Sequence, residues 1–321
     1  MQLRKISKGV HVALPLLTVI LATWQNVLLG APGGMVSMRS EKGQPLGAGE
    51  YSRHLQVNGL ERSYVLYIPS GLDPAQPAPV ILGFHGGFGS PKDFTRVTDL
   101  PTQAGNVGFV VVLPEGYRRS WNAGDCCGPA QRQNIDDVTF IKLLLDDLAS
   151  VVKIDPRRVF ATGFSNGGKL SYRLACELSD RIAAIAPVSG SMGVSTCTLI
   201  QPVSVLHFHG TADRFAPIEG GKGALGSTGA LAPVRLGLET FARENHCTPE
   251  PQVVYKRGDM QCETYPNCRG NAEVTLCVIE GMGHQWPGKE ILPRLLGPGT
   301  KEISATNLVL AFFKKHERGQ P

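Results

Sequence analysis

A serine flanked by small residues lies where a predicted strand passes into a predicted helix. The segment Gly163–Gly167 reads Gly-Phe-Ser-Asn-Gly, follows the apolar run Val159–Thr162 and precedes helical spacing that begins near Gly167. The G-x-S-x-G pattern is weak evidence by itself. A strand-to-helix turn at this position is typical of a nucleophile elbow, where the sharp bend tolerates only small flanking residues. The alternative is that Ser165 is only the N-cap of a Gly-rich helix entry. The placement favours Ser165 as a nucleophile.

A serine hydroxyl needs a general base within reach and an acid that orients the base. Asp213 follows the apolar run Val203–Phe208 and a tight turn, and His284 follows the run Val274–Ile279 next to a glycine. The carboxyl ends of parallel strands meet at one edge of a sheet, so these side chains are expected near Ser165. The chain order Ser, acid, His predicts Asp213 as the acid and His284 as the base. Alternatively, Asp213 only caps its own turn.

Two further histidines, His207 and His209, lie two residues apart on one predicted strand. This spacing places them on the same face of the strand. We interpret them as hydrogen-bonded residues of the core or its rim rather than as reacting groups.

The loop Gly83–Gly89 is rich in glycine and follows another predicted strand. Bare backbone N–H groups in such a loop stabilise a developing oxyanion. We predict that the N–H groups of Gly87 and Asn166 serve this purpose, with Phe88 as the alternative to Gly87. No lysine follows in the spacing of a phosphate-binding loop, so a nucleotide site is not indicated.

Two tryptophans are candidates for the walls of a substrate cleft. Trp121 opens a loop with paired cysteines, and Trp286 stands two residues after His284. Stacking on an aromatic acyl group or a sugar ring would suit either side chain. The alternative for Trp121 is a core residue that plugs the loop. Asp136 and Asp137 are interpreted as acids favoured at a helix N-terminus.

Short apolar runs alternate with helical patterns over residues 51–317. The strands predicted from these runs are Tyr64–Ile68, Val80–Phe84, Phe109–Leu113, Val159–Gly163, Ile182–Val188, Val203–Phe208 and Val274–Ile279. The predicted helices are Asp136–Val152, Gly167–Leu178, Val234–Asn245 and Ser304–His316. The alternation predicts one α/β domain with a mainly parallel sheet covered by helices on both faces.

The first 31 residues combine a basic start, an apolar stretch and a small-residue end, as an export signal does. An uncleaved signal anchor is the alternative. Residues 32–50 are predicted to be a flexible lead-in and 318–321 a tail. We therefore expect a secreted protein, extracellular or periplasmic, without stable membrane association after cleavage.

The composition excludes several classes of protein. The chain has 321 residues, of which 42% are hydrophobic and 18% charged, a balance that is not typical of disordered or fibrous chains. The net charge is +5, and three of the positive charges, those of Arg4, Lys5 and Lys8, lie in the predicted signal. No nucleic-acid partner is indicated.

The even number of eight cysteines fits an oxidising compartment and predicts disulfides. Cys262 and Cys268 are close enough in sequence to close a short loop. The adjacent Cys126 and Cys127 are expected to bond to two different partners. A zinc site is the weaker alternative, because no C-x-x-C pair occurs.

Four segments together resemble one known family. They are Gly163–Gly190, His207–Asp213, Ser120–Gly128 and Gly283–Gly288. They look like the poly(3-hydroxybutyrate) depolymerase-like secreted esterases, which are related to feruloyl and acetyl xylan esterases. The resemblance implies an α/β-hydrolase fold and a serine esterase without cofactor or metal, with Ser165, Asp213 and His284 in the family's catalytic positions. Phe88 and Met282 stand where many relatives have glycine.

The resemblance predicts an enzyme that hydrolyses carboxylic esters, either of a polyhydroxybutyrate-type polyester or of feruloylated or acetylated plant polysaccharide. We expect a monomer whose partner is its ester substrate. One alternative is a secreted serine peptidase with the same residues. A non-catalytic binding protein is the other, and the fold alone does not exclude it.

Overall fold

The computed structural model describes residues 44–224, 230–291 and 293–319. The predicted signal over 1–31, most of the predicted lead-in and the end of the predicted tail lie outside these residues. All described elements belong to one unit, Ser37–Pro321. Its first strand begins at Gly49, inside the segment predicted as a lead-in. No helix in these three ranges is long and apolar enough to cross a membrane.

Ten strands of the described chain form one sheet. They are β1 (Gly49–Val57), β2 (Leu60–Ile68), β3 (Ala78–Phe84), β4 (Val110–Pro114), β5 (Ile154–Phe164), β6 (Ala184–Val188), β7 (Ser204–Gly210), β8 (Gln252–Arg257), β9 (Met260–Tyr265) and β10 (Val274–Ile279). Their order across the sheet is β1-β2-β4-β3-β5-β6-β7-β10-β9-β8. The strands from β4 to β10 in this order pair in parallel, and an antiparallel hairpin flanks them on each side.

Helices cover both faces of the sheet. They are α1 (Pro91–Thr98), α2 (Leu100–Gly105), α3 (Gly128–Arg132), α4 (Asp137–Val151), α5 (Asn166–Glu177), α6 (Val234–Glu244), α7 (Pro293–Leu296) and α8 (Ala305–Lys315). Apolar residues of α4, α5 and α6 join one buried cluster, and those of α1, α2 and α8 join the other. The predicted α/β architecture is therefore confirmed.

All seven predicted strands and all four predicted helices are present, with small differences at their ends. The parallel strands are buried on both faces, which explains their nearly continuous apolar sequences. The prediction missed β1, β8 and β9. Every residue of β8 is exposed, so its sequence carries no pattern of one-sided burial.

The eight cysteines form four disulfides, and both expectations are wrong: Cys262 does not pair with Cys268, and Cys126 and Cys127 do not bond to two different partners. The pairs are Cys126–Cys127, Cys176–Cys197, Cys247–Cys268 and Cys262–Cys277. Cys262 and Cys277 face each other across the β9–β10 pair, so strand register and not proximity in the chain decides this bond. Cys126 and Cys127 bond to each other, and the other six cysteines pair among themselves.

A buried ion pair joins β2 to the start of α4. The Arg62 guanidinium donates to Asp137 Oδ1 at 2.7 Å, and both side chains are almost fully buried. The Asn122 backbone N–H donates to the other carboxylate oxygen of Asp137 at 2.7 Å. Asp137 thus anchors the loop that contains Trp121, while the adjacent Asp136 caps α4 by accepting the Thr139 N–H.

We expect Arg62→Met to lower the free energy of unfolding by about 3–5 kcal/mol, because it leaves the buried Asp137 without its cation. Urea unfolding of the oxidised protein measures this change. Arg96→Met is the matched control, since Arg96 pairs with Asp93 at an exposed position, where ion pairs contribute less than about 1 kcal/mol. Equal losses in the two variants would contradict a structural role for the buried pair.

Candidate active site

Ser165 lies in a sharp turn between β5 and α5. Its backbone has φ 55° and ψ −118°, a conformation that L-residues rarely adopt, and its N–H donates to Val188 O at 2.8 Å. The turn depends on glycines, because a Cβ on Gly163 would lie 2.4 Å from the carbonyl carbon of Gly167. A Cβ on Gly167 would lie 2.2 Å from Phe84 O. These approaches account for the small residues of the G-x-S-x-G segment.

His284 and Asp213 form a buried pair. His284 Nδ1–H donates to Asp213 Oδ2 at 2.7 Å. Asp213 Oδ1 accepts the backbone N–H groups of Phe215 and Ala216 at 2.9 and 2.8 Å. Burial alone would raise the pKa of Asp213, but the hydrogen bond and charge of His284 outweigh it and hold this pKa below its usual value. The carboxylate is therefore ionised and orients the imidazole.

Aromatic contacts place this pair beside the serine turn. The imidazole of His284 lies 4.8 Å, between ring centroids, from the ring of Phe164, the residue before Ser165. The ring of Phe215 approaches the same imidazole at 5.4 Å. In the described part of the chain the Ser165 hydroxyl makes no hydrogen bond. Such bonds often shorten only when substrate binds, so this geometry does not disqualify the serine as a nucleophile.

The glycine-rich loop after β3 packs against the serine turn. A Cβ on Gly86 would lie 3.5 Å from Ser165 Cβ, and one on Gly87 would lie 3.9 Å from Asn166 Cβ. Gly86 O is within hydrogen-bonding distance of His85 Nδ1, at 2.8 Å, and accepts the Gly89 N–H at 3.0 Å. Because the C=O and N–H of a trans peptide point in opposite directions, the Gly87 N–H is directed away from these partners.

His85 holds this loop as a neutral side chain. Its Nε2 accepts the Gly116 N–H at 3.0 Å, which leaves the proton on Nδ1 for the Gly86 carbonyl. Burial lowers the pKa of His85 to about 4. The loop therefore keeps the same hydrogen bonds across the neutral pH range.

Phe88 is not available as the alternative oxyanion donor. Its N–H donates to Arg119 O at 2.8 Å. Its ring is 77% exposed, and its φ is 63°. Of the two predicted choices, only Gly87 therefore remains a candidate donor on this loop.

The two predicted cleft walls are buried instead. Trp121 is 0% and Trp286 1% exposed. Trp121 Nε1–H donates to His85 O at 2.9 Å, and its ring packs edge-on against Phe84. Trp121 is therefore a core residue, which was the alternative to a cleft wall. Trp286 Nε1–H donates to Thr306 Oγ1 at 3.1 Å. Both indoles satisfy their N–H groups inside the fold and present no open face to a substrate.

Asn166 has a role that the sequence did not reveal. Its side-chain Oδ1 accepts the Trp121 N–H at 2.8 Å, and its Nδ2 donates to Trp121 O at 3.0 Å. This two-bond clamp ties the Trp121 loop to the first residue of α5. Sequence reasoning considered only the backbone N–H of Asn166, because an amide pairing across 45 residues leaves no local pattern.

No group of three or more His, Cys, Asp or Glu side chains capable of holding a metal ion occurs in the ranges that the structure covers. The described groups at this edge of the sheet are a serine hydroxyl, a buried imidazole–carboxylate pair and a loop of backbone N–H groups. This set is suited to acyl transfer.

The chain belongs to the dienelactone hydrolase family, whose model matches residues 65–242. It is 31% identical to feruloyl esterase B of Piromyces equi over 234 residues, which make up 70% of this chain and 42% of that protein. It is 30% identical to feruloyl esterase C of Emericella nidulans over 200 residues, or 60% of this chain and 65% of that protein. The chain thus spans less than two thirds of the length of either relative.

A solved structure supports the fold. The acetyl xylan esterase of Aspergillus awamori superposes with a TM-score of 0.53 at 14% identity, over 73% of this chain and 94% of that one. Together the matches confirm the α/β-hydrolase fold and the resemblance to feruloyl and acetyl xylan esterases. Carboxylic-ester hydrolysis is the class of activity to which these names point.

We expect Asp213→Asn to lower kcat by about 1,000- to 10,000-fold, because an amide no longer favours the imidazole tautomer that accepts the serine proton. KM should stay within about threefold, since the buried carboxylate does not contact substrate. Steady-state kinetics on a soluble ester measures both constants. Arg214→Gln, at the exposed neighbouring residue, serves as the control. A kcat for Asp213→Asn close to that of the control would exclude Asp213 as the orienting acid.

Proposed function

We propose that the protein is a serine esterase in which Ser165, His284 and Asp213 form the catalytic triad. The observation that carries the proposal is the buried Asp213–His284 pair at 2.7 Å beside the turn that holds Ser165. The three residues come from the ends of β5, β7 and β10, as the chain order of this fold predicts.

In the proposed reaction, His284 Nε2 accepts the Ser165 proton while Oγ attacks the ester carbonyl carbon. The backbone N–H groups of Gly87 and Asn166 stabilise the oxyanion. His284 then protonates the departing alcohol, and the acyl group remains on Ser165. Water attacks this acyl-enzyme with His284 again as the base, which releases the acid and restores the hydroxyl.

The proposed substrates are feruloyl or acetyl esters of plant polysaccharide. The names of the two fungal relatives and of the acetyl xylan esterase support this class. Phe88 supports it as well, because its exposed ring stands next to the proposed oxyanion donor and offers a stacking surface to a sugar or phenolic ring. Polyhydroxybutyrate-type polyester is the second substrate class that the sequence motifs suggest.

We propose that the enzyme acts outside the cytosol as a monomer. The pairing of all eight cysteines supports an oxidising compartment. The basic and apolar start of the chain supports export, with cleavage near residue 31. In this proposal residues 51–317 form the catalytic domain.

We expect Ser165→Ala to lose at least about 1,000-fold in kcat on p-nitrophenyl butyrate while its far-UV circular dichroism is unchanged. Ser150→Ala, at an exposed position in α4, is the matched control and should retain full activity. Turnover by Ser165→Ala at the rate of the control would remove Ser165 as the nucleophile.

Assays of Ser165→Ala and its control Ser150→Ala on feruloylated xylan, acetylated xylan and polyhydroxybutyrate films distinguish the substrate classes. We expect Ser165-dependent release of ferulate or acetate. Ser165-dependent cleavage of the polyester alone would assign the enzyme to the second class. Ser165-dependent cleavage of peptide amides, with no turnover of esters, would contradict the esterase proposal.

A further inference from the structure

Three buried side chains continue inward from the Asp213–His284 pair. Tyr172 Oη lies 2.9 Å from His207 Nδ1, and His207 Nε2 lies 2.9 Å from His209 Nδ1. His209 Nε2 lies 2.6 Å from Ala216 O. All three side chains are fully buried, so water takes no part in these bonds. We refer to Tyr172, His207 and His209 as the inner chain.

The positions of the protons in the inner chain follow from its last acceptor. A carbonyl oxygen only accepts, so His209 Nε2 carries a proton and donates it to Ala216 O. For a neutral His209, Nδ1 accepts the Nε2–H of His207, and His207 Nδ1 accepts the Tyr172 hydroxyl proton. Burial lowers the pKa of both imidazoles and raises that of Tyr172, so each ring stays neutral.

His209 acts on the Asp213 carboxylate along two routes. Its Nε2 lies 3.5 Å from Asp213 Oδ2, the oxygen that also accepts the His284 proton. The partial positive charge of the Nε2–H therefore lies close to the carboxylate, while its hydrogen bond goes to Ala216 O. His209 also holds the carbonyl of Ala216, and the N–H of Ala216 donates to Asp213 Oδ1. Donors on both sides of the carboxylate restrain its position and stabilise its charge.

Among the described residues, the charged groups that act on His209 are Asp213, His284 and Lys169. His284 faces the carboxylate from the loop after β10, and the charged form of His284 also disfavours charge on His209. Lys169 of α5 has the same effect on His209, and it is itself paired with Asp125 at 3.2 Å. Asp213 itself carries the charge that favours protonation of His209, but burial outweighs it.

We propose that His209 is a positioning residue for the esterase reaction, holding Asp213 in place and stabilising its charge through the Nε2–H, whose proton the Ala216 carbonyl keeps on this nitrogen. The proposal rests on the triad proposed above, because His209 is fully buried and acts only through Asp213 and His284. Without this N–H the carboxylate becomes more basic, and the Asp213–His284 pair binds its proton more tightly. The free enzyme then loses its general base at a higher pH.

The test is the pH profile of kcat/KM for His209→Asn and His209→Gln. The asparagine oxygen replaces Nδ1 and still accepts from His207, but its amide is too short to reach Ala216 O. The glutamine amide nitrogen replaces Nε2 and keeps the donor. We expect the acid limb of His209→Asn to move up by about half a pH unit or more, with kcat reduced and KM within about twofold of wild type. The acid limb of His209→Gln should lie closer to that of the wild type.

Tyr172→Phe is the matched control for loss of a buried hydrogen bond. It removes the outermost bond of the inner chain, while Ala216 O still holds the proton on His209 Nε2. We expect it to lower stability without moving the acid limb. Equal shifts in Tyr172→Phe and His209→Asn would overturn the positioning role, as would a folded His209→Asn with the wild-type profile.

A measurement on the wild-type protein covers the case in which His209→Asn does not fold. The ¹⁵N chemical shifts of His209 should report a neutral Nε2–H tautomer at and above pH 7, because burial lowers the pKa of this imidazole. An Nδ1–H tautomer or a charged His209 in this range would overturn the proposal. Failure of the proposed triad would be seen separately, as turnover by Ser165→Ala. That result does not depend on the ¹⁵N shifts of His209.

Discussion

The turn at Ser165 is the constraint on which the rest of the site depends. Ser165 has a positive φ although it carries a side chain. At Gly163, Gly167 and Gly190 neighbouring backbone atoms lie so close that a Cβ would clash with them. A Cβ on Gly190 would lie 2.3 Å from the Ser165 carbonyl oxygen. Such a conformation persists only where the surrounding structure over-determines it. The parallel strands on either side of β5 supply that surrounding structure, and they bring the ends of β7 and β10 to the same edge.

Electrostatics then divides the site into an ionised carboxylate and neutral supporting histidines. Asp213 keeps its charge in a buried position because backbone N–H groups and His284 donate to it. His85 in the glycine-rich loop and His209 beside Asp213 are held neutral by burial. His85 holds the glycine-rich loop and His209 holds the loop at Ala216, and neither adds a charge to the site. This arrangement leaves His284 as the one imidazole of the described site whose protonation the proposed reaction uses.

The sequence was informative where burial is two-sided and motifs are local, and uninformative where contacts are distant. Continuous apolar runs predicted the parallel strands, and the order of serine, acid and histidine predicted an Asp213–His284 contact that the structure contains. Exposed β8 shows no such run. For Trp121 the sequence leaves a cleft wall and a core position open, because proximity to motifs does not reveal which way an indole points. Its N–H donates to His85 O inside the core. Disulfide partners likewise follow strand register, as at Cys262 and Cys277.

Trapping the nucleophile tests the central claim most directly. The oxidised enzyme, treated with an organophosphate ester that phosphorylates activated serines, is digested and mapped by mass spectrometry while residual esterase activity is followed. The account predicts one stable adduct, on the peptide that contains Ser165, and loss of activity in proportion to its formation. An adduct on another residue, or full labelling of Ser165 with activity retained, would contradict it.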